Sequence, residues 1–561
     1  MKPFLSPLIT VLLLLIHIPL LGQRYLGYRP TDSGGPLMPE QAAYDVRFYD
    51  LNLRVNPQEK SIAGRAVVQV TMVHPLDYLV LDLDQRLQVI RVERQERTGA
   101  FTDTPFERRG NKLWCQLHGT RQPGERVAVR VHYQGRPKEA PAPPWVGGFT
   151  WATTADGSPW IATSMQFDGA DLWWPCKDHP SDEPDSLALT VTIPKPLILA
   201  SNGVLRKVTE NRDGTRTFYW FVSNPINNYN VALNIAPYRT LDTTYTSVTG
   251  ETIPVTFYVL PESYSTARDF FPEFLQHLAF YEKLLGPYPF RKEKYSVAQT
   301  PHLGMEHQTV IAYGRFERGP QGFDVLHHHE LGHEWWGNLV TAFDWRDFWL
   351  HEGFCIYMQA LYSEELHGEK GYHEYLKGVR SRIRNLIPLA PRESRSAVQQ
   401  YMIAPEYLES DGDIYHKGAI VLHALRYLIG KEALLKALRR FAYPTPELER
   451  VTDGRQCRFA TTDDFLFLVE SITGRDLDWF FEVYVRQPVP PRLIVDREGR
   501  QLHLRWQTPR NLPFPMPVDV QIDGKRQRVE MPEGQATVTV PETAEVVIDP
   551  ELWVYKWGDG K

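Results

Sequence analysis

The spacing of apolar residues changes twice along this 561-residue chain. Across residues 44–239, short runs alternate apolar and polar side chains, as at Leu51, Leu53 and Val55, with Pro and Gly clusters between them. Across residues 264–486 the apolar side chains recur every three or four positions, and beyond that range short alternating runs return. The pattern predicts an α+β multidomain chain: an N-terminal antiparallel β domain, a mostly helical domain and a small C-terminal β-sandwich.

The limits that we predict for these parts follow from breaks in the pattern. A helix that begins near residue 264 stops at Gly286-Pro287, a second is expected over residues 418–441, and a third begins at the capping side chains of residues 462–464. Four prolines make residues 136–145 an extended loop, and three more follow residue 487. The predicted domains are residues 23–240, 241–487 and 488–561, after a leader of residues 1–22.

The leader has the composition of a secretory signal peptide. Lys2 is its only charged residue, and the apolar run from Leu8 to Leu21 is shorter than the roughly 20 residues that span a bilayer. We therefore expect cleavage after Gly22, export to the periplasm or the extracellular space, and no stable membrane insertion afterwards. The alternative is an uncleaved leader that anchors the protein in the membrane.

The charge of the chain excludes two classes of partner, whereas its cysteine content does not decide whether disulfides form. The chain carries 62 Lys and Arg against 68 Asp and Glu, a net charge of −6, with no run of like charges. Nucleic acid and anionic membrane surfaces are therefore not expected as partners. The cysteines, Cys115, Cys176, Cys355 and Cys457, could pair in three ways in an oxidising compartment or remain buried thiols.

Residues 329–333, His-Glu-Leu-Gly-His, carry the most specific chemistry. On a helix, positions i and i+4 share a face, so His329 and His333 can bind one ion, with Glu330 beside them to hold a water molecule. The adjacent His327 and His328 have no partner at that spacing and are interpreted as flanking residues.

A catalytic zinc ion needs a third protein ligand and an open position for water. Glu352 stands 19 residues after His333 in a segment with helical periodicity, Trp-Leu-His-Glu-Gly-Phe. A second helix packed on the first could bring this carboxylate to the metal.

These segments, with Trp-Trp-Gly-Asn-Leu-Val at residues 335–340, resemble the zinc signature of the gluzincin aminopeptidases, the family of aminopeptidase N and leukotriene hydrolase. The resemblance implies a thermolysin-like catalytic domain with one Zn²⁺ bound by His329, His333 and Glu352, and Glu330 as general base. His351 replaces the Asn that is commonest in the family.

Further segments extend the resemblance over most of residues 44–490. Residues 303–307, Leu-Gly-Met-Glu-His, resemble the exopeptidase motif, which implies that Glu306 binds the substrate amino group and that Gly304 and Met305 line the substrate. Leu303 and His307 depart from the family's Gly and Asn. Residues 415–418 resemble the segment of the catalytic tyrosine, here Tyr415, and Gln166 aligns with a Gln that also reaches the amine. Residues 171–183 match the corresponding family region less closely.

The resemblance implies an aminopeptidase that hydrolyses the N-terminal bond of peptides with a free N-terminus. Glu330 would take a proton from a zinc-bound water and Tyr415 would stabilise the oxyanion. Two alternatives remain: a thermolysin-type endopeptidase, and an exported binding protein with a structural zinc. Because only a small β domain is expected after residue 490, we also expect an open cleft and no hydrolysis of lipid epoxides.

Overall fold

The computed structural model describes residues 33–401 and 412–558. The predicted leader, residues 1–22, lies outside them. Among the described residues, no helix combines the length and the apolar character that crossing a membrane requires.

The first part of the chain is built almost entirely of strands. Its elements are α1 (Pro39–Ala42), β1 (Tyr44–Asn56), β2 (Ser61–Met72), β3 (Leu76–Asp82), β4 (Leu87–Gln95), β5 (Phe101–Asp103), β6 (Phe106–Arg109), β7 (Lys112–Arg121), β8 (Arg126–Gly135), β9 (Gly148–Thr153), β10 (Pro159–Ser164), β11 (Ser186–Pro194), β12 (Ile198–Ala200), β13 (Val204–Glu210), β14 (Thr215–Val222) and β15 (Asn234–Ala236). They form an eight-stranded sheet (β13-β14-β11-β1-β2-β8-β4-β5), a four-stranded sheet (β12-β15-β10-β9) and a three-stranded sheet (β3-β7-β6).

The predicted N-terminal β domain is confirmed, with one difference in strand direction. β1 and β11 pair in parallel, with Leu51 opposite Leu189, whereas the other pairs in this part are antiparallel. Periodicity reports which face a side chain takes and carries no information on the direction of the neighbouring strand. The predicted loop over residues 136–145 is confirmed, since β8 ends at Gly135 and β9 begins at Gly148.

The second part combines a five-stranded sheet and a two-stranded sheet with a set of helices. Its elements are β16 (Arg239–Thr246), β17 (Thr252–Val259), α2 (Tyr264–Leu285), β18 (Tyr295–Gln299), β19 (Gly304–Met305), β20 (Ile311–Tyr313), α3 (Val325–Gly332), β21 (Val340–Ala342), α4 (Trp349–Arg380), α5 (Ala397–Tyr401), α6 (Asp413–Ile429), α7 (Lys431–Ala442), β22 (Arg458–Ala460), α8 (Thr462–Thr473) and α9 (Asp478–Tyr484). The larger sheet has the strand order β16-β17-β18-β20-β19, and β21 pairs in parallel with β22 in the smaller one.

The structure corrects the sequence prediction in three places of this part. Strands β18 to β20 lie in a stretch that was predicted to be helical. All five residues of β18 are buried, and a strand buried on both faces shows no alternation of apolar and polar residues, so the pattern did not reveal it. The helix predicted over residues 418–441 is two helices, since Gly430 with φ of 90° ends α6 and begins α7. The cap of α8 is Thr461, which forms a capping box with Asp464, one residue before the predicted position.

The third part is a pair of small sheets, as predicted. Its strands are β23 (Arg492–Glu498), β24 (Gln501–Gln507), β25 (Val518–Ile522), β26 (Lys525–Val529), β27 (Gln535–Thr539) and β28 (Val546–Ile548). They pair as β23-β24-β27 and β26-β25-β28. The predicted domain limits stay predictions, although β16 begins at Arg239 and β23 at Arg492, close to two of them.

Helices α4 and α6 pack closely because glycines meet at their contact. A Cβ added to Gly353 would lie 2.8 Å from the Gly418 Cα, and one added to Gly418 would lie 2.9 Å from the Gly353 Cα. Only glycine permits this backbone approach, and it brings the first turn of α4 against the first turns of α6.

Candidate metal centre and active site

Helix α3 positions the two histidines of the metal motif. It begins after Asp324, whose carboxylate accepts a hydrogen bond from the His327 amide at 2.9 Å, and its N-cap fixes the register of the next turns. One turn apart, the Nε2 atoms of His329 and His333 lie 3.2 Å from each other.

Glu352, in the first turn of α4, completes a triangle with these atoms. Its Oε2 lies 3.1 Å from the His329 Nε2 and 3.4 Å from the His333 Nε2. Ligand atoms about 2.0–2.2 Å from a tetrahedral zinc ion stand at this mutual separation, about 3.3 Å. The three ligand atoms therefore fit a single zinc ion.

The hydrogen bonding of the histidines supports a cation at this point. The His333 Nδ1 donates to the Trp336 carbonyl at 2.8 Å, so in the neutral ring Nε2 carries a lone pair directed at the other two ligand atoms. Burial lowers the pKa of the His333 ring, but the neighbouring Cys355 thiol and the surrounding carboxylates outweigh it and raise that pKa well above its usual value. The site thus attracts positive charge.

Glu330 is a buried carboxylate that faces this triangle without a hydrogen-bond partner among the described residues. Burial, and next the charge of Glu306, raise its pKa well above the usual value. Gly304 leaves the room for it, since a Cβ on that residue would lie 2.6 Å from the Glu330 Oε1. The arrangement suits a group that exchanges a proton with a water molecule.

Glu306 lies close to the metal triangle and is held by the N-terminal part of the chain. Its Oε1 accepts hydrogen bonds from the Gln166 amide and, at 2.9 Å, from the Tyr229 hydroxyl. Both of these side-chain donors use Oε1, and no side chain among the described residues donates to Oε2. The ligand atoms of Glu306, Glu330 and His333 lie within 4.8 Å of one another. Gly304 and Met305, which precede Glu306 in the sequence and form β19, are buried and pair with β20.

Tyr415, in the first turn of α6, reaches the same site. Its ring lies 6.0 Å from that of His329, and burial raises the pKa of its phenol well above the usual value, so it stays protonated. The Tyr415 hydroxyl donates to the Tyr401 hydroxyl at 3.1 Å, which in turn donates to the Glu352 Oε1 at 2.8 Å.

Sequence reasoning missed Tyr401 and Tyr229. Tyr401 links the Glu352 carboxylate to the phenol of Tyr415, and Tyr229 orients the Glu306 carboxylate. Neither stands in a motif with fixed spacing, so only their contacts in the fold identify them.

The residues that depart from the gluzincin pattern take structural positions. The His351 Nε2 accepts a hydrogen bond from the Ala342 amide at 2.9 Å, and burial lowers the pKa of this ring to about 3. His307 is fully buried, with a pKa lowered by burial to about 3. His327, predicted to be a flanking residue, stacks on Phe274 with ring centroids 3.7 Å apart, and its Nδ1 lies 2.9 Å from the His277 Nδ1.

The four cysteines are free thiols in the structure. Three of them, Cys115, Cys176 and Cys355, are buried, and burial raises the pKa of the Cys115 thiol.

Relatives by sequence are aminopeptidases and a related hydrolase. The chain is 24% identical over 507 residues to endoplasmic reticulum aminopeptidase 1 of Rattus norvegicus, which covers 82% of this chain and 52% of the relative. It is 24% identical over 453 residues to aminopeptidase N of Haemonchus contortus, covering 71% and 44%. It is 26% identical over 343 residues to leukotriene A-4 hydrolase of Xenopus laevis, covering 58% and 53%. The chain thus spans about half the length of these relatives.

Two solved structures with the same architecture match this chain over nearly their whole length. A mutant M1 zinc metallopeptidase from Deinococcus radiodurans bound to a Tyr-Ser-Ala substrate is 25% identical, with a TM-score of 0.65, and the match covers 83% of this chain and 99% of that one. A two-domain M1 zinc metallopeptidase mutant bound to L-arginine is 26% identical, with a TM-score of 0.63, covering 82% and 98%.

Two family profiles match the chain directly. The peptidase M1 N-terminal domain matches residues 46–229, and the peptidase family M1 domain matches residues 320–484. The two segments contain the turn after β10 that carries Gln166 and the helices that carry the metal triangle. The chain is therefore a member of peptidase family M1.

Proposed function

We propose that the protein is a zinc aminopeptidase that removes one residue at a time from peptides with a free N-terminus. His329, His333 and Glu352 would hold the single catalytic Zn²⁺. When bound there, the ion would polarise the scissile carbonyl and lower the pKa of a water molecule toward about 7.

The chain's own residues would divide the work of hydrolysis. Glu330 would accept the proton of the attacking water and return it to the leaving amine. The Tyr415 hydroxyl donates to Tyr401 in the structure and would redirect this proton to the substrate carbonyl oxygen as that oxygen gains negative charge. One such donor contributes about 2.7–4 kcal/mol.

The observation that carries the exopeptidase proposal is the proximity of Glu306 to the base. A substrate ammonium bound at Glu306 has its own carbonyl carbon only about 2.5 Å from the nitrogen, as the N–Cα and Cα–C bond lengths dictate. With the ligand atoms of Glu306, Glu330 and His333 within 4.8 Å, the first carbonyl reaches the base and the second lies about one residue farther out. The geometry therefore favours release of a single residue.

The binding of the amine also explains why internal bonds would be poor substrates. The Glu306 carboxylate is buried, so an internal segment of a peptide, which lacks the ammonium, would leave that charge unpaired. Gln166 and Tyr229 occupy Oε1 and hold the carboxylate so that Oε2 faces the incoming cation.

Amino-acid amides and peptides with free or acetylated N-termini test the proposal. We expect release of single residues from the free-amine substrates only. Glu330→Gln should abolish turnover and leave zinc bound, and Glu306→Ala should lower kcat/KM through KM and kcat together. Cleavage of acetylated peptides would instead indicate the endopeptidase, and zinc retention without any turnover would indicate the binding protein.

We further propose that the protein is exported. The support is the leader sequence, with Lys2 followed by the apolar run from Leu8 to Leu21. Sequencing the N-terminus of the protein recovered outside the cytoplasm would test this; a mature form that begins at Gln23 is expected, and an intact leader would support the membrane anchor.

A further inference from the structure

A second group of metal-ligating side chains lies where α4 meets the C-terminal sheets. Gly368, with φ of 69° and ψ of −167°, interrupts the helical geometry of α4, and the next turn carries Glu369 and His373. Glu551, in the segment after β28, approaches the same point. One ligand atom from each of the three residues lies within 4.8 Å of the others, and the His373 Nε2 is 3.9 Å from the Glu369 Oε1.

The His373 ring presents an unused nitrogen to this group. Its Nε2 is buried and has no hydrogen-bond partner among the described residues, which is uncommon for a buried polar atom in a folded protein. Trp553 contacts the ring edge-on at 4.8 Å and Tyr372 at 5.3 Å, so packing fixes the ring. A neutral imidazole has a lone pair on one ring nitrogen that can bind a metal ion.

The two carboxylates supply the negative charge. Both hydrogen bonds to Glu551, from the Trp553 indole at 2.8 Å and from the Arg526 guanidinium, go to Oε2, which leaves Oε1 open. The Glu369 side chain is 69% exposed and can turn toward an ion without disturbing the core.

The segment that carries Glu551 is already docked on the helices. The Leu552 carbonyl accepts hydrogen bonds from the Arg380 guanidinium and from the His423 Nε2, the latter at 3.1 Å. Trp553 stacks on the His423 ring at 4.5 Å. An ion held by Glu369, His373 and Glu551 would therefore join helix α4 to a C-terminal segment that is already docked against the helices before the ion binds.

We propose that Glu369, His373 and Glu551 form a second, non-catalytic site for a divalent transition-metal ion, which fastens the C-terminal sheets to helix α4. One imidazole and two carboxylates form a ligand set that zinc accepts, with water in the remaining position. The solvent exposure of Glu369 and the nearby positive charge of Arg526 make this site weaker than the catalytic one. The ion would stabilise the folded chain in proportion to its concentration.

Metal counting on the full chain tests the proposal. After equilibration with a micromolar excess of free zinc and gel filtration in the same buffer, the wild-type protein should carry two zinc ions per chain, and His373→Gln should carry one. Glu369→Gln should bind the second ion at least tenfold more weakly. The melting temperature of the wild-type protein should rise as the second equivalent binds, and that of His373→Gln should not.

The matched control is His367→Gln, on the other side of the Gly368 interruption, whose Nε2 donates to the Gln321 carbonyl at 2.7 Å. This variant should keep both ions. A single zinc ion in the wild-type protein, or two in His373→Gln, would overturn the proposal. The count does not depend on peptidase activity, so an inactive protein that binds two ions would refute the proposed function and leave this inference standing.

Discussion

Gly304→Ala is expected to lower the proposed peptidase activity strongly without unfolding the protein. A Cβ at this position would lie 2.6 Å from the Glu330 Oε1, 2.7 Å from the Leu326 Cδ1 and 3.0 Å from the Glu330 Cδ. These atoms belong to the ends of flexible side chains, which can move aside, so the backbone of β19 has no reason to shift.

The expected loss follows from how far the base must move. Ordinary contact begins at 3.4 Å, so the Glu330 carboxylate must retreat by at least 0.8 Å from its present 2.6 Å. A displacement of about 1 Å in a catalytic group costs on the order of 10²-fold in rate, about 2.7 kcal/mol of transition-state stabilisation. We therefore expect kcat to fall about 100-fold while the protein keeps its zinc ion, because the three atoms nearest the new methyl group belong to Glu330 and Leu326 and not to a zinc ligand.

The assay is steady-state turnover of an aminoacyl anilide, together with the zinc content and the melting temperature of each protein. Gly378→Ala is the matched control, because its Cβ would meet nothing within 4 Å and it lies in α4. The control should be fully active and more stable by up to about 1 kcal/mol. Wild-type kcat in Gly304→Ala with zinc bound would refute the placement of Glu330 as the base.

Three further changes test other contacts. Tyr401→Phe removes the 2.8 Å hydrogen bond to Glu352 and should lower zinc affinity or kcat/KM by about 10- to 100-fold. A chelator titration measures the affinity and a rate assay measures kcat/KM. If both values are unchanged, Tyr401 does not support the Glu352 ligand. Burial lowers the pKa of Lys294 to about 7, so above that pH the unfolded chain binds more protons than the folded chain. The free energy of unfolding of the wild-type protein should therefore rise by about 2 kcal/mol between pH 7 and 9 relative to that of Lys294→Met. If urea unfolding gives parallel pH profiles for the two proteins, this reasoning is refuted. Gly418→Ala places a methyl group 2.9 Å from the Gly353 Cα. This clash should lower the free energy of unfolding by about 1–3 kcal/mol, offset by about 1 kcal/mol from the higher helix propensity of Ala, and both the melting temperature and kcat should fall. A more stable, fully active variant would contradict the close helix contact.

The sequence alone predicts the parts of this fold that depend on local pattern. The amphipathic helix α2 ends at Leu285, before the predicted stop at Gly286, because a 3.6-residue period and a Gly-Pro stop are both local signals. The buried strand β18 was missed, because burial on both faces removes the alternation that identifies a strand.

The candidate site divides in the same way. His329 and His333 are predictable because helical spacing alone puts them on one face. Gln166 and Tyr415 could be named only through resemblance, and Tyr229 and Tyr401 could not be named at all, because side chains brought together by tertiary packing leave no fixed spacing in the sequence.

The separation of the site residues along the chain has a consequence for the order of folding. The contact between His329 and Glu352 spans 23 residues, whereas that between Gln166 and Glu306 spans 140. Contacts between near neighbours form with less loss of chain entropy and therefore earlier. Helices α3 and α4 could thus capture zinc in a partly folded chain in which the pocket for the substrate amine does not yet exist. Zinc content would then overstate the fraction of correctly folded protein, and discrimination against acetylated peptides would measure it better.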